Sequence, residues 1–375
     1  MRELVALDMP AGTAALRHVR DEWDNGNAAL IVDQRLPHAT KSDLLSQMGA
    51  HTVVTATDRT SLSVRHEPMV DGDALVVATS GSTGAPKGVV HTHHGLRCAS
   101  LARAGGLRCG AEAHWLACLP LSHIGGFGVV TRAWHTGAML TVHSGFDAEE
   151  SMNAGATHVS LVATALRRVR PERFVRILLG GSRPPHDLPD NVTTTYGLTE
   201  SCGGVVYDRR PLAGVEVAIS PANEVLLRGP MLMRAYRNVT NPPAHPIDAD
   251  GWLHTGDLGE FKDGQLHVFG RAGDLIITGG ENVWPEQVEN ALRTHPRVAD
   301  VVVAGASDPE WGQRVVAWVV PRDSAPSLEE LRDHVSSTLP RFAALRQLVV
   351  VDQIPVTSLG KPQRAALLAS LDDEQ

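Results

Sequence analysis

The chain has 375 residues, of which 43% are hydrophobic and 20% charged, so it is long enough for more than one domain with a sizeable core. Lys and Arg number 34 against 42 Asp and Glu, a net charge of −8 without a basic block, which argues against nucleic acid as a partner. The sequence has 4 cysteines without paired spacing and no apolar run of about 20 residues. We therefore expect a cytoplasmic protein without a disulfide framework or a membrane span.

The first half of the chain alternates apolar segments with helix-like ones. It begins with a predicted helix, strand, helix and strand, at Ala14–Trp23, Ala28–Val32, Ser42–Met48 and Thr52–Thr55. Further strands are predicted at Ala74–Ala78, Trp115–Leu119, His158–Val162, Arg176–Leu179 and Val192–Thr195. Continuous apolar runs separated by helices are typical of mostly parallel sheets covered on both faces. The predicted class is therefore α/β.

The pattern changes after Arg210, where Val215–Ile219 and Glu224–Arg228 predict a β section. The remaining predicted elements are a strand at Gln265–Phe269, helices at Pro285–Arg293 and Ser327–Leu339, and strands at Asp300–Ala304 and Arg314–Val319. We place the domain boundary at Gly270–Asp274. This gives a large domain over residues 1–270, with mostly parallel sheets covered by helices plus a β section, and a small α+β domain over residues 271–375.

The strongest chemical signal is a loop rich in glycine and hydroxyl groups that follows the predicted strand Ala74–Ala78. The groups suited to phosphate are Thr79, Ser80, Gly81, Ser82, Thr83, Gly84 and Lys87. Glycines let the backbone approach a phosphate closely, hydroxyls and N–H groups donate to it, and a lysine adds positive charge. The loop is not a Walker A motif, because Pro86 stands where that motif requires glycine. The sequence therefore predicts a phosphate loop of another kind.

Two later segments suit the base and the metal of a nucleotide. In Thr195–Ser201, Tyr196 offers a flat face for adenine, Gly197 permits a tight turn, and Glu200 is a hard oxygen ligand for Mg²⁺. In the same segment, Thr199 adds a hydroxyl that can donate to a phosphate. The segment Gly180–Gly181–Ser182 has little side chain to obstruct a planar base.

Further polar motifs lie on both sides of the predicted domain boundary. Gly251–Gly259 contains Asp257, whose two carboxylate oxygens suit the vicinal hydroxyls of a ribose. Gly270–Glu289 contains Arg271 and the pair Gly279–Gly280. The last motif, Pro355–Arg364, contains Lys361, and an upstream segment, Leu119–Gly128, contains His123.

In this order and spacing, the motifs resemble those of the adenylate-forming superfamily of acyl-CoA ligases, peptide-synthetase adenylation domains and luciferases. The resemblance extends from Ala78 to Arg364. It implies an enzyme that uses ATP and Mg²⁺ to make an acyl-adenylate and then transfers the acyl group to coenzyme A. It also implies that Lys361, Thr199 and Glu200 are catalytic, with Glu200 as the metal ligand. The nucleotide and CoA contacts it implies are Thr79, Ser80, Gly81, Ser82, Thr83, Gly84, Lys87, Gly180, Gly181, Ser182, Tyr196, Gly197, Asp257, Arg271, Gly279 and Gly280.

The same resemblance makes residues 271–375 a mobile lid. Its hinge is Gly273, where the family usually has Asp or Lys, and glycine suits a pivot because it tolerates large changes in φ and ψ. In the family, the lid brings the lysine that matches Lys361 to the α-phosphate for adenylation. It then turns to bring in the segment that matches Gly279–Gly280, which lines the passage for CoA.

The substrate is suggested by the compact N-terminal part, since only 77 residues precede Ala78. This shortening and the segments around His123 and Gly203 resemble the compact actinobacterial o-succinylbenzoate–CoA ligases of menaquinone biosynthesis. The resemblance implies an aromatic keto-diacid as the substrate, with contacts from His123, Ser160 and Gly203. Candidates to bind its second carboxylate are Ser122, Ser160, Thr164 and Arg132.

Three alternatives stay open at this point. The chain is another aryl- or acyl-CoA ligase, an adenylating enzyme that serves an amine or a carrier protein, or a nucleotide-binding protein of the same fold without catalysis. The motifs do not distinguish a monomer from a homo-oligomer.

Overall fold

The computed structural model describes residues 2–62, 68–80, 86–181, 184–185, 187–237, 246–356 and 362–372. The chain divides into two compact units. The first contains Met1–Val217, Leu226–His254 and Asp263–Leu266. The second contains Ala218–Val225, Thr255–Lys262 and His267–Gln375. Each unit is described separately below.

The first unit contains two mixed sheets and most of the helices. Its strands up to the second sheet are β1 (Leu4–Leu7), β2 (Ala28–Ile31), β3 (Thr52–Val54), β4 (Arg59–Ser61), β5 (Asp73–Ser80), β6 (Pro86–Thr92), β7 (His114–Ala117), β8 (Met139–Val142), β9 (His158–Leu161), β10 (Arg176–Leu179), β11 (Val192–Leu198), β12 (Gly203–Tyr207) and β13 (Arg210–Pro211). Its helices are α1 (Thr13–Asp24), α2 (His38–Met48), α3 (His93–Leu107), α4 (Ile124–Thr136), α5 (Ala148–Asn153) and α6 (Ala163–Leu166).

The remaining strands and helices complete the chain. The strands are β14 (Glu216–Ile219), β15 (Glu224–Arg228), β16 (Ala235–Arg237), β17 (Leu253–Lys262), β18 (Gln265–Arg271), β19 (Ile276–Thr278), β20 (Glu281–Val283), β21 (Val298–Asp308), β22 (Gly312–Pro321) and β23 (Gln347–Val350). The helices are α7 (Pro285–Arg293), α8 (Leu328–Ser336) and α9 (Arg364–Asp372). Strands β14, β15, β17 and β18 form a four-stranded sheet in that order.

The first sheet has the order β16-β6-β5-β2-β1-β3-β4. Strands β1, β2, β3 and β5 are parallel, whereas β6, β16 and β4 pair in the antiparallel direction. The second sheet has the order β13-β12-β11-β10-β9-β7-β8, with parallel pairing from β8 to β11. The central strands of both sheets have the parallel pairing expected from continuous apolar strands, the second sheet is mostly parallel, and the predicted α/β class is confirmed.

The central strands are apolar on both faces because helices cover them. Trp115 on β7 and Ile177 on β10 are fully buried, and Leu4, Leu30 and Val76 line the core of the first sheet. At the end of β6, Thr92 caps α3 by accepting a hydrogen bond from the Gly95 N–H at 3.0 Å. Among the described residues, no helix is both long and apolar enough to cross a membrane.

The C-terminal part of the second unit is a smaller α+β assembly. Its sheet has the order β20-β19-β22-β21, and β23 pairs in parallel with β22. Helices α7 and α8 contribute the buried side chains Val288, Leu292, Leu331 and Val335 to its core. The N-terminus of α8 has a capping box, in which Ser327 accepts from the Glu330 N–H, and the Glu330 carboxylate accepts from the Ser327 N–H.

Candidate active site

The second sheet collects several of the predicted site residues at one edge. His123 lies between β7 and α4, and Ser160 is on β9. The Gly180–Gly181 pair follows β10, and Tyr196 is near the end of β11. Strands β7, β9, β10 and β11 are parallel, so their carboxyl ends lie along the same edge. In α/β proteins, this edge is where ligands bind.

The backbone beside Tyr196 is held by a close approach between β11 and β12. These strands pair antiparallel, and their register shifts between Tyr196 and Gly197. A Cβ atom at Gly197 would lie 2.0 Å from the carbonyl oxygen of Gly203, so no other residue fits without moving β12. The glycine predicted for a tight turn is therefore required by contact between two strands.

The glycine pair after β10 also has a packing explanation. A Cβ atom at Gly180 would lie 2.6 Å from Oγ1 of Thr195, which donates a hydrogen bond to the Leu179 carbonyl at 3.2 Å. Gly181 has a φ of +87°, a conformation that side chains with a Cβ rarely adopt. Ser182, the third residue predicted for this segment, lies outside the described residues.

Arg103 on α3 holds the segment that contacts Gly197. Its guanidinium is 3% exposed, and its Nε donates to the Gly204 carbonyl at 2.9 Å while Nη2 donates to the Cys202 carbonyl. These bonds satisfy two carbonyls of a turn that contains the predicted substrate residue Gly203. The sequence analysis did not identify Arg103, because a lone arginine in a helix about a hundred residues away carries no motif.

A buried histidine and a buried cysteine pack beside this turn. The His91 Nδ1 atom lies 3.1 Å from the Cys202 Sγ atom, and both residues are fully buried. Burial, with a smaller effect of the Arg103 charge, lowers the pKa of His91 to about 3. Burial also raises the pKa of Cys202 to about 12. Both groups are therefore neutral near pH 7, because burial disfavours their charged forms.

We expect two of the 4 cysteines to resist thiol reagents in the folded protein. Cys202 and Cys118 are buried with pKa values raised to about 12 and about 11, whereas Cys98 and Cys109 are partly accessible. The thiolate is the reactive form, so the buried pair stays unmodified at pH 8 until the protein unfolds. Counting thiols with Ellman's reagent before and after denaturation, with peptide mapping, checks this. Rapid labelling of Cys202 in the folded protein would contradict the burial described here.

The predicted phosphate loop connects two paired strands of the first sheet. Thr79 and Ser80 end β5, Lys87 is near the start of β6, and Thr79 pairs with Lys87 across the two strands. Four of the predicted phosphate contacts lie outside the described residues, namely Gly81, Ser82, Thr83 and Gly84. The structure thus places the two ends of the loop beside each other, as the antiparallel pairing of β5 with β6 requires.

Lys87 and Glu200 both contact the side chain of Tyr236, Lys87 at the ring and Glu200 at the hydroxyl. The Tyr236 hydroxyl donates a hydrogen bond to the Glu200 Oε1 atom at 2.7 Å. The Lys87 Nζ atom lies 5.1 Å from the centre of the Tyr236 ring, within the range of a cation–π contact. Two residues that are far apart in the sequence are thereby joined through a tyrosine that no motif had indicated.

Backbone hydrogen bonds also hold the segment that contains Glu200. Thr199–Ser201 forms a turn of 3₁₀ helix directly after β11, and the Met233 N–H donates to the Glu200 carbonyl at 2.7 Å. In the part of the chain that the structure describes, no cluster of three or more His, Cys, Asp or Glu side chains forms a metal cage. A lone carboxylate beside a phosphate loop fits Mg²⁺, which is commonly held by one or two carboxylates together with nucleotide phosphates.

His123 lies beside a charged pair that follows β2. Arg35 donates from Nε and Nη2 to the two oxygens of Asp33, at 2.8 Å and 2.6 Å. The His123 Nε2 atom is 3.7 Å from the Asp33 Oδ2 atom and 3.5 Å from the Arg35 Nη2 atom. The hydrogen bond from Arg35 holds the pKa of Asp33 below its ordinary value. Polar groups from the segment after β2 therefore lie beside His123, on the predicted acyl side of the site.

Two of the candidates for the second carboxylate have clear positions. Ser122 precedes His123, and its buried hydroxyl has no hydrogen-bond partner among the described residues. Arg132 lies eight residues after Ile124, the first residue of α4, which is about 12 Å along the helix axis. Its guanidinium lies over the ring of Trp115, near the start of β7. Arg132 is therefore not brought together with His123, whereas Ser122 is.

The two residues predicted to contact the ribose lie in the second unit and pair with each other. The Arg271 Nε atom is 2.9 Å from the Asp257 Oδ1 atom, and the Asp257 side chain is 9% exposed. The Asp257 N–H donates to Thr255 Oγ1 at 3.0 Å, which fixes the backbone of β17 at this point. Asp257 is therefore a nearly buried carboxylate held by a guanidinium.

The glycines predicted for the hinge and the CoA passage have different surroundings. Gly273 lies in a short 3₁₀ turn, Ala272–Asp274, and a Cβ atom there would contact nothing within 4 Å. Gly279 has a φ of +59° and lies against the Trp311 ring, 2.8 Å from where its Cβ atom would be. Gly280 has a φ of +83° and open space around it. Only Gly273 and Gly280 are therefore free of close contacts.

Lys361 itself lies outside the described residues, but the start of the following helix is well anchored. Arg364 donates from Nη2 to the Glu289 Oε1 atom at 2.7 Å and from Nε to the Val303 carbonyl at 3.0 Å. Glu289 is 3% exposed and also accepts from the Val303 N–H at 2.9 Å. The last residue of the motif Pro355–Arg364 is thus bound to the last residue of the motif Gly270–Glu289.

An α/β fold with glycine turns, an aromatic side chain and a lone carboxylate at the carboxyl edge of a parallel sheet defines a nucleotide-binding enzyme. Residues 21–237 match the family model described as "AMP-binding enzyme", and residues 287–361 match "AMP-binding enzyme C-terminal domain". The first match alone spans more than half of the chain. The chain therefore belongs to the AMP-binding enzyme family, and the family predicted from its motifs is confirmed.

Within this family, the chain is similar to proteins named for one substrate. It is 39% identical over 331 residues to the "Probable 2-succinylbenzoate–CoA ligase" of Mycobacterium tuberculosis, covering 80% of this chain and 85% of that protein. A solved structure of o-succinylbenzoate CoA synthetase (MenE) from Bacillus subtilis, in complex with the acyl-adenylate intermediate OSB-AMP, superposes with a TM-score of 0.85. That likeness covers 97% of this chain and 88% of the other at 26% identity. The same Bacillus enzyme has also been solved with ATP and a magnesium ion.

Proposed function

We propose that the protein is a 2-succinylbenzoate–CoA ligase that works through an acyl-adenylate and acts in menaquinone biosynthesis. The observation that carries the proposal is the contact of both Lys87 and Glu200 with Tyr236, because it joins the phosphate loop to the proposed metal ligand. The names of the similar proteins support the choice of acid. The position of His123 beside the charged pair Asp33–Arg35 and the buried, unpartnered hydroxyl of the adjacent Ser122 support an acyl site for a dicarboxylate.

In the first half-reaction, a carboxylate oxygen of the acid attacks the α-phosphorus of ATP. A new bond forms between that oxygen and phosphorus, the bond to the bridging oxygen breaks, and pyrophosphate leaves with its electron pair. Negative charge is spread over the phosphate oxygens, so positioning and fixed positive charge supply most of the catalysis. We assign this stabilisation to Lys361 and to Lys87, and we assign the α-phosphate contact to Thr199.

The nucleotide is proposed to lie on the residues predicted from the sequence. Tyr196 contacts the adenine, with Gly180–Gly181 on its other side, and Asp257 and Arg271 bind the ribose. Thr79, Ser80 and the loop that follows them bind the β- and γ-phosphates. Glu200 would hold Mg²⁺, which supplies positive charge to the phosphates when it is bound.

In the second half-reaction, the thiol of CoA attacks the carbonyl carbon of the acyl-adenylate. The carbon–sulfur bond forms, the bond from the carbonyl carbon to the phosphate oxygen breaks, and AMP leaves. We propose that Gly273 is the hinge of a C-terminal lid over residues 271–375, and that Gly279–Gly280 contact CoA. The surroundings of Gly273 are compatible with a pivot, because a Cβ atom added there would lie more than 4 Å from every described residue other than its chain neighbours.

The acid is proposed to lie between His123, Ser160 and Gly203. Gly203 has a φ of +96°, and a Cβ atom there would lie 3.4 Å from the Arg103 guanidinium and 3.6 Å from Ile124, so a side chain has little room. The unpartnered hydroxyl of Ser122 is a donor that a carboxylate would satisfy. Arg132 also has buried donors without a partner among the described residues, Nε and Nη1. We rank Ser122 above it because Ser122 adjoins His123 in the chain, whereas the Arg132 guanidinium lies over the Trp115 ring.

The proposal is tested by the exchange of labelled pyrophosphate into ATP in the presence of different acids. 2-Succinylbenzoate is expected to support exchange, and benzoate and acetate, which lack the succinyl carboxylate, are expected to support it poorly. CoA, simple amines and a carrier-protein thiol are then compared as acceptors of the adenylate. Exchange with another acid alone would point to a different ligase, and ATP binding without exchange for any acid would contradict catalysis.

A further inference from the structure

Tyr236 occupies a central position that the proposed mechanism does not use. Its hydroxyl donates to Glu200 at 2.7 Å, and its ring faces the Lys87 ammonium at 5.1 Å. It lies on β16, at the edge of the first sheet, and it pairs with Val89 on β6. One side chain thus contacts both the proposed metal ligand and the lysine of the phosphate loop.

The hydrogen bond from Tyr236 fixes the direction of the Glu200 carboxylate. In the described part of the chain, no second hydrogen bond to the Glu200 carboxylate is found, so Tyr236 is its orienting partner. A phenol that donates to Oε1 leaves Oε2 available for another ligand and does not neutralise the charge. A salt bridge to Lys87 would instead compete with the metal for the same oxygens.

The ring of Tyr236 has the complementary effect on Lys87. The aromatic face attracts the ammonium but does not accept hydrogen bonds from it as a carboxylate would. The N–H donors of Lys87 therefore stay available to phosphate oxygens.

The backbone under Tyr236 is rigid, which is necessary for a positioning role. The neighbouring Arg237 is 5% exposed, and its Nε and Nη2 atoms donate to the Met48 and Gly49 carbonyls at 2.5 Å and 3.2 Å. Arg237 pairs with Gly88, where an added Cβ would meet the Met48 sulfur at 2.8 Å. The strand that carries Tyr236 is therefore locked to the strand that carries Lys87.

We propose that Tyr236 is a positioning residue that orients Glu200 for Mg²⁺ and Lys87 for the nucleotide phosphates, and so sets the metal dependence of ATP binding. This inference rests on the proposed function. Groups that orient a metal-binding carboxylate typically change metal affinity or activity about 10–100-fold when they are removed. The effect of Tyr236 is expected to appear in metal-dependent binding and to require the Glu200 carboxylate.

The test measures ATP binding by calorimetry, without acid or CoA, in the presence and absence of Mg²⁺, together with the binding of Mn²⁺-ATP by electron paramagnetic resonance. Tyr236→Phe removes the hydrogen bond and keeps the ring. We expect it to weaken metal-dependent binding about 10-fold or more, with little change in binding without metal. Tyr236→Leu also removes the ring and is expected to weaken binding without metal as well.

Two further variants separate positioning from a structural effect. Tyr207→Phe, another tyrosine on the same unit at 7% exposure, is the matched control and is expected to bind like the wild type. In a Glu200→Gln background, Tyr236→Phe is expected to have no further effect on metal dependence, since a double-mutant cycle isolates the pair. Thermal melting of each variant checks that it is folded.

The outcomes distinguish this inference from the proposed function. One outcome is that Mg²⁺ tightens ATP binding by the same factor in the wild type and in folded Tyr236→Phe. In that case the positioning role is overturned and the proposed function stands. An equal loss from Tyr236→Phe in the Glu200→Gln background would also overturn it. If the wild type shows no metal-dependent ATP binding, both the proposed function and the inference fail.

Discussion

Replacing Lys361 with alanine is expected to slow acyl-adenylate formation by at least about 10²-fold, because one fixed positive donor to the transition-state charge is lost. Thioester formation from supplied acyl-AMP and CoA is expected to retain much of its rate, because the lysine is assigned to the first half-reaction only. Single-turnover assays of each half-reaction measure the two rates separately.

The matched control is Lys262→Ala. Lys262 is an exposed lysine at the end of β17 and has no proposed role, so both half-reactions are expected to proceed as in the wild type. An equal loss of both half-reactions in Lys361→Ala would contradict the division of labour assigned to the lid. A wild-type rate of adenylation would contradict the role of Lys361 altogether.

Gly197→Ala is expected to damage both stability and catalysis. The new Cβ atom would lie 2.0 Å from the Gly203 carbonyl oxygen, which is backbone and has no rotamer to change. Overpacking of this kind costs about 1–3 kcal/mol of the free energy of unfolding. A displacement of about 1 Å at the Tyr196–Glu200 segment is enough to lower the rate about 10²-fold. Urea unfolding and pyrophosphate exchange measure the two effects.

Gly145→Ala is the control for this substitution, since a Cβ atom at Gly145 contacts nothing within 4 Å. We expect it to change the unfolding free energy by less than about 0.5 kcal/mol. We expect the exchange rate to stay at the wild-type value. If Gly197→Ala behaves in the same way, the contact between β11 and β12 does not position the nucleotide side of the site.

The fold class was predictable because it depends on a pattern that repeats along the chain. The apolar segments at residues 74–78 and 176–179 lie in strands β5 and β10, and the helix predicted at Ala14–Trp23 is α1, Thr13–Asp24. The ends were less predictable. Strand β21 runs over Val298–Asp308 rather than the predicted Asp300–Ala304, because its pairing with β22 extends beyond the apolar run.

The motif residues were found because their chemistry is local, whereas the residues that hold them in position were not found. Glu200 and Lys87 were identified from the sequence, but Tyr236, which contacts both, stands in a segment without a chemical pattern. The interaction of Arg103 with the turn after Cys202 spans 99 residues. Contacts of this range depend on how strands and helices pack, and a single sequence does not contain that information.

At two positions the predicted glycine is required, but for a reason different from the one the sequence indicated. Gly180 was expected to make room for the base and Gly197 to permit a tight turn, and the structure shows that Thr195 and Gly203 already occupy the space of a side chain there. Packing thus requires both glycines even before a ligand is considered. The sequence indicates that a side chain is excluded, but only the neighbouring atoms show what excludes it.

The most direct measurement of the central claim is mass spectrometry of the products formed from 2-succinylbenzoate, ATP, Mg²⁺ and CoA. A ligase of the proposed kind yields succinylbenzoyl-CoA, AMP and pyrophosphate in equal amounts, and succinylbenzoyl-AMP when CoA is left out. Folded protein that binds ATP yet forms neither the adenylate nor the thioester from this acid would contradict the account.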